Sequence, residues 1–191
     1  MVEKVEGNVA LIIVDAQRDF CQGGALPVPE GDQVVPVINE WIKEAFGNDP
    51  KRIIFTRDWH PAVTSHFKEY GGQWPAHCVQ NTPGAEFHPD LKPPEGVTII
   101  SKGMDPNKDA YSAFDGVTDQ GVSLVDELRS RGIEVLYIGG LATDYCVRAT
   151  VLDALKNDFK VKLIKDACRA VNPVAGKQDV DEMVGAGAEV V

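Results

Sequence analysis

No stretch of this chain approaches the ~18 consecutive apolar residues that a membrane-spanning helix needs, so a transmembrane reading is excluded. Positive charge is also scarce: 19 Lys and Arg stand against 29 Asp and Glu, a formal charge of −10. A nucleic-acid surface needs a basic stripe to meet phosphates, so the balance points to small-molecule or protein partners instead. The start, Met1-Val2-Glu3-Lys4-Val5-Glu6, has neither the basic n-region nor the apolar h-region of a secretory signal, which predicts a soluble, cytoplasmic protein. No Gly-x-Gly-x-x-Gly follows the first apolar run, which weakens a nucleotide-binding module. Internal repeats, low-complexity tracts and linkers are absent too, so residues 1–191 are expected to form one domain around one core. The four cysteines, Cys21, Cys78, Cys146 and Cys168, are expected as free thiols in a reducing compartment.

What is present is an alternation. Apolar, β-branched runs recur at residues 9–14, 52–56, 97–101, 134–138 and 160–164, with 189–191 a candidate last strand. Between them, Val34, Val37, Ile38, Trp41, Ile42 and Ala45 repeat at helical spacing, with Asp32 as the expected N-cap. Leu124, Val125 and Leu128 lead to Gly132 as a stop. Val147, Thr150, Val151, Ala154 and Leu155 stripe a third helix, which Thr143 and Asp144 should cap once Gly139 and Gly140 have broken the preceding strand. A fourth begins at Asn172-Pro173, an N-cap followed by proline at N1. Near-continuous strands alternating with helices mean an α/β fold, a parallel sheet covered on both faces. The interval 58–96 shows no helix or strand, yet holds Trp59, Phe67, Tyr70, Trp74 and Phe87. It is read as a folded loop that builds a site.

In such a sheet, ligands bind beyond the carboxyl ends of the strands. Asp15 closes the first run, Asp58 follows the second, Lys102 the third, and Cys146 follows the fourth through a short turn. A thiol on the first turn of a helix is expected to have its pKa lowered from about 8.5 toward neutrality by unpaired amides and the macrodipole. Most free cysteines are small core residues, so position alone does not make a nucleophile. Its neighbours strengthen the case: Lys102 would favour the thiolate, and Asp15 could take the thiol proton and return it to a leaving amine. Amides of the turn, those of Ala142 and Cys146, are candidates for an oxyanion hole. All four histidines lie in the loop interval, at His60, His66, His77 and His88. Asp58-Trp59-His60 brings carboxylate and imidazole to one side of an extended backbone, a ligand type suited to Zn, Mn or Fe, and Cys78 beside His77 is either a further ligand or packed.

Six segments carry a resemblance: Val14-Asp15-Ala16-Gln17-Arg18-Asp19-Phe20-Cys21, Arg57-Asp58-Trp59-His60-Pro61, Trp74-Pro75-Ala76-His77-Cys78-Val79-Gln80, Lys102-Gly103, Asp109-Ala110-Tyr111-Ser112-Ala113-Phe114, and Gly140-Leu141-Ala142-Thr143-Asp144-Tyr145-Cys146-Val147. In order and spacing they are similar to the cysteine hydrolases of the isochorismatase-like superfamily, most of all its nicotinamidase/pyrazinamidase branch. The resemblance implies a three-layer, doubly wound, six-stranded, mostly parallel sheet, with a metal-binding loop at about 57–96. It implies a catalytic triad of Asp15, Lys102 and Cys146, and one divalent ion, zinc before iron or manganese, on Asp58, His60 and His77. His66 is a ligand in some relatives and is replaced by serine in others. A cis peptide at Leu141-Ala142 is implied, turning the Ala142 amide into the oxyanion hole, and Phe20, Trp74 and Tyr111 are implied around the substrate ring. The implied reaction takes nicotinamide, and pyrazinamide beside it, to the acid and ammonia through a thioester. The rival within the superfamily acts on another carboxamide or an N-carbamoyl compound. No nucleic-acid or membrane partner is expected, and self-association is left open.

Overall fold

The computed structural model describes residues 2–191. Six strands, β1 (Val9–Val14), β2 (Ile53–Asp58), β3 (Thr98–Lys102), β4 (Val135–Leu141), β5 (Lys160–Arg169) and β6 (Glu189–Val190), form one sheet in the order β3-β2-β1-β4-β5-β6. Every pairing in it is parallel. The order reverses between β1 and β4, where chain connections leave in opposite directions and open a crevice at the strand ends. The helices are α1 (Val34–Glu40), α2 (Leu124–Ser130), α3 (Arg148–Lys156) and α4 (Pro173–Gly185).

All six side chains of β1 are buried. Val9, Leu11 and Ile13 join the core that α1 covers through Val34, Val35 and Ile38. Ala10, Ile12 and Val14 point the other way, to Leu124 and Leu128 of α2, Val151 and Ala154 of α3 and Met183 of α4. The strand period of two thus feeds two cores, which gives the three expected layers.

Several local expectations hold. Asn172 caps α4, its side chain accepting from the amides of Val174 and Ala175, and Gly132 follows α2 with φ +67. Others need correction. Gly139 and Gly140 do not break β4, which continues to Leu141. A Cβ at Gly140 would stand 2.0 Å from the Val14 carbonyl oxygen, and its φ is +133, so glycine is what lets β4 run beside β1 here. Asp32 does not cap α1. Gln33 precedes the helix with no side-chain cap, while the Asp32 carboxylate accepts the Gln22 amide at 2.9 Å. Thr143 and Asp144 do not cap a helix either: they lie inside a π turn, Thr143–Val147, that precedes α3. Asp144 instead accepts the amides of Val171 and Asn172 at 2.9 and 2.8 Å, pinning the start of α4.

The interval after Asp58 is indeed without strand or helix until β3, holding only short 3-10 turns at Lys68–Tyr70 and Pro83–Ala85. It is folded around Phe67, which is fully buried. A ring so placed is worth roughly 1.5–3 kcal/mol of apolar burial, enough to anchor a loop lacking its own ladder.

Candidate active site

The crevice between β1 and β4 collects the strand-end residues. Asp15, in the left-handed region at φ 44, turns the chain away from β1. Asp58 and Lys102 end β2 and β3 as register partners. Cys146 sits in the π turn after β4. Lys102, fully buried, places Nζ 2.9 Å from Asp15 Oδ2, against Asp58 Oδ1, and 3.4 Å from Cys146 Sγ. The contact with Asp15 Oδ2 is ionic without hydrogen-bond alignment, so that oxygen has no hydrogen-bond donor of its own. The other oxygen is taken: Thr56 Oγ1 donates to Asp15 Oδ1 at 2.7 Å. Asp15 Oδ2 is therefore held by the Lys102 charge, in a cluster where ligand atoms of Asp15, Asp58 and Cys146 lie within 4.8 Å of one another.

Electrostatics alter one expectation. Burial pushes the Cys146 thiol well above its ordinary range; Lys102 pulls the other way, but Asp15 and Asp58 reinforce the rise. The π-turn position does not yield a resting thiolate, because the single ammonium is shared between two carboxylates before it reaches sulfur. Burial also raises Asp15, against Lys102 and with Asp58. Burial works the same way on Asp58, yet Lys102 and His60 outweigh it and hold that carboxyl below the usual range. A protonated sulfur beside a carboxylate of raised basicity calls for proton transfer as the nucleophile attacks.

Three imidazoles cluster in the loop, two of them beside Asp58. His60 Nδ1 meets Gly103 O at 3.0 Å, His77 Nδ1 meets Pro75 O at 2.7 Å, and His66 Nδ1 meets Asp109 Oδ1 at 2.6 Å. Each Nδ1 faces an acceptor and must carry the proton, which leaves each Nε2 a bare lone pair. Ligand atoms of the three lie within 4.8 Å of one another. Asp58 Oδ2 stands 3.6 Å from His60 Nε2 and 3.9 Å from His77 Nε2. His60 Nε2 is buried with no hydrogen-bond partner. An orphaned lone pair among three imidazole nitrogens, with the Asp58 carboxylate beside two of them, is what a divalent ion of the Zn, Fe or Mn kind fits. The grouping of Cys21, Asp32 and His88 reads differently: the Asp90 amide donates to His88 Nδ1, so Nε2 keeps its proton toward Asp32. Cys78 is no ligand; it is fully buried in the apolar core, its amide bound to Asp19 Oδ2.

Burial lowers the His77 pKa from 6.5 to about 4, against the Pro75 carbonyl and Asp58. Between those values the unfolded chain binds a proton that the folded, metal-free chain refuses, so folding stability is lost as pH falls through that window. Thermal unfolding of metal-free protein should show a midpoint that drops from about pH 7 to about pH 4, and His77→Asn should flatten part of that slope. An unchanged slope in the variant would refute the assignment.

Both clusters open onto one cavity of about 430 Å³ including its mouth, with Cys146, Ala142, Asp58, His66 and His77 in its lining. Phe20, Trp74, Tyr111 and Tyr145 supply aromatic walls, and Leu26, Val28 and Val171 aliphatic ones. Trp74 Nε1 donates to Tyr111 Oη at 2.9 Å. The Leu141-Ala142 peptide is cis. The amides of Tyr145 and Val147 both reach Ala142 O at 3.1 Å, which turns the chain tightly between the cis peptide and Cys146.

Every residue expected at the site is therefore near it, and four supporting residues were not foreseen. Gln17, fully buried, donates to Asp58 O and Ala85 O and accepts the Asp58 amide, clamping the end of β2. Thr56 orients Asp15; Asp19 holds the amides of Ala25 and Cys78; Asp109 holds His66. Gln17, Asp19 and Asp109 stand inside the segments that carry the resemblance, with no role attached there, and Thr56 lies one residue before such a segment.

A sequence profile of the isochorismatase domain matches residues 9–191. The nicotinamidase of Escherichia coli is 44% identical, the match covering 94% of this chain and 92% of that one. Among solved structures, the pyrazinamidase of Pyrococcus horikoshii in complex with zinc superposes with a TM-score of 0.89 at 50% identity, covering 97% of this chain and 99% of that one. A protein from L. infantum in complex with nicotinate gives 0.86 at 36% identity, with coverage of 100% and 95%. With the profile running from β1 to the last residue and these relatives aligned along nearly their whole lengths, the chain belongs to the isochorismatase family.

Proposed function

We propose that this protein is a metal-dependent amidohydrolase that converts nicotinamide to nicotinate and ammonia through a thioester on Cys146. One observation carries the reading: Cys146 and the residues Asp58, His66 and His77 line the same aromatic-walled cavity. The relatives support it, since one is a nicotinamidase, one is a pyrazinamidase holding zinc and one holds nicotinate. In the same reading residues 1–191 form one domain with its metal-binding loop at about 57–96. The substrate is a small carboxamide in the cytoplasm; the charge of −10 supports the absence of a nucleic-acid partner, and no described helix is long and apolar enough to cross a membrane.

The chain's own groups perform the chemistry in two halves. Phe20, Trp74 and Tyr111 hold the flat ring, and a divalent ion on Asp58, His60, His66 and His77 would supply a Lewis-acidic anchor for the ring nitrogen. Asp15 takes the Cys146 proton as sulfur bonds to the carboxamide carbon, and the carbonyl π pair moves onto oxygen. The amides of Ala142 and Cys146, at the turn after β4, receive that oxyanion. As it collapses, the C–N bond breaks and Asp15 gives its proton to the departing nitrogen, releasing ammonia. Water then attacks the thioester with Asp15 as base; the C–S bond breaks, and the proton returns to sulfur. Lys102 keeps Asp15 in place and offsets negative charge near sulfur throughout.

The test is ammonia release from nicotinamide, pyrazinamide and benzamide by metal-stripped and metal-restored protein. Nicotinamide and pyrazinamide should turn over, benzamide, which lacks the ring nitrogen, at least about tenfold more slowly, and stripping should abolish turnover until metal returns. No ammonia from either pyridine or pyrazine amide, or equal rates without metal, would sink the proposal.

A further inference from the structure

We propose that Asp109 is a positioning residue that makes His66 a protein ligand to the divalent ion, and through it ties the Trp74–Tyr111 wall of the cavity to metal binding. This rests on the metal-dependent reading above. Of the three imidazoles in the cluster, His60 and His77 are aimed by backbone carbonyls, Gly103 O and Pro75 O, which no substitution of those residues removes. His66 alone is aimed by a side chain, with Asp109 Oδ1 2.6 Å from its Nδ1. The bond holds the proton on Nδ1, points Nε2 into the cluster, and makes the ring a stronger donor by placing a carboxylate behind it.

The surrounding bonds show that the contact belongs to a built junction between two loops. The Ser65 amide donates to Pro106 O at 2.8 Å, and Thr64 Oγ1 donates to the same oxygen at 3.2 Å. The segment bearing His66 is thus stitched to the segment that runs from Gly103 to Tyr111. From His66 the path continues into the cavity wall: the Trp74 amide donates to His66 O at 3.3 Å, and the Trp74 indole donates to Tyr111 Oη. Tyr111 lies two residues beyond Asp109, so the path closes on itself. An ion that fixes His66 also fixes the two rings, and loss of Asp109 loosens all three. The Asp109 side chain is 54% exposed whereas that of His66 is 5% exposed, so its role is in orientation and not in core packing.

The measurement is zinc affinity of the full chain by competition with a chromophoric chelator, for wild type, Asp109→Ala, Asp109→Asn, His66→Ala and the Asp109→Ala/His66→Ala double variant. Asp109→Ala should weaken zinc binding about 10- to 100-fold. Asp109→Asn keeps an oxygen for the Nδ1 proton and should recover part of that loss. The double variant should bind no more weakly than His66→Ala, since Asp109 acts only through His66. The cobalt-substituted Asp109→Ala protein should show a changed visible spectrum, reporting a lost ligand where a purely structural role would leave the coordination unchanged. Wild-type zinc affinity in Asp109→Ala, or losses that multiply in the double variant, would overturn the inference. A wild-type protein that binds no zinc would instead overturn the metal reading, and this one with it.

Discussion

Cys146→Ala should fold, bind zinc as the parent does, and release ammonia at least about four orders of magnitude more slowly. The size follows from what the sulfur does in both halves of the reaction. Without it there is no covalent intermediate, and water would have to attack an amide directly, which is the hard step that the thioester divides in two. The fold should tolerate the change. Cys146 is 7% exposed at the edge of the core that holds Val147 and Val151, where alanine removes one buried atom and the sulfur's contact with Lys102 Nζ at 3.4 Å. Steady-state ammonia release, zinc content and thermal unfolding of one preparation decide the matter. Near-parental turnover would eliminate covalent catalysis by this residue.

The second large effect falls on stability. Lys102→Met keeps the length of the side chain and removes the one cation between Asp15 and Asp58, whose side chains are 0% and 5% exposed. Breaking a buried charge set by deleting one partner costs about 3–5 kcal/mol, because the remaining charges are left uncompensated. The pH dependence has a definite sign. Asp15 is raised by burial even with Lys102 present, so without it the folded carboxyls hold protons at pH values where unfolded ones, with pKa about 3.9, have released them. At those carboxyls the folded variant then binds more protons than the unfolded chain, so the stability gap between variant and wild type, in which the histidine contribution cancels, should narrow as pH falls from about 7 to about 5. Adding Asp15→Asn should recover part of the loss at neutral pH. Urea unfolding of the metal-free wild type and variant at several pH values would test this, and a gap that widens as pH falls would show that the carboxylates are not what destabilises the variant.

How far the sequence could be read depended on the range of the physics involved. Burial pattern is local, and β1 was legible to the residue. Asn172-Pro173 was legible for the same reason, since cap and helix are adjacent. Asp32, Thr143 and Asp144 were misread as caps because the turns at both helix starts satisfy their own amides, and the two carboxylates serve more distant ones: Gln22 for Asp32, Val171 and Asn172 for Asp144. Gly139 and Gly140 were read as a break because close approach of a neighbouring backbone leaves the same signature as a turn. At the site, Asp15, Lys102 and Cys146 could be found because, although each alone has an ordinary explanation, all of them fall at the carboxyl ends of the strands, the edge where such a sheet binds ligands. Gln17 and Thr56 are chemically plain, and their partners lie 41 to 68 residues away, so only the folded chain shows what they hold. The thiol's pKa was misjudged in direction because a helix-end argument counts amides and omits burial and the division of one ammonium between two carboxylates.

Gly140 gives the site its gauge. Val14 and Gly140 are register partners across the central pair of strands, with Asp15 the next residue on one side and the turn to Cys146 beginning just after Leu141 on the other. A single methyl group at that position would have to push against a peptide carbonyl, and the two strands would part where the proton acceptor and the nucleophile leave them. The separation of base from sulfur is therefore set by a missing carbon atom: the smallest residue in the chain acts as the spacer for its reacting pair.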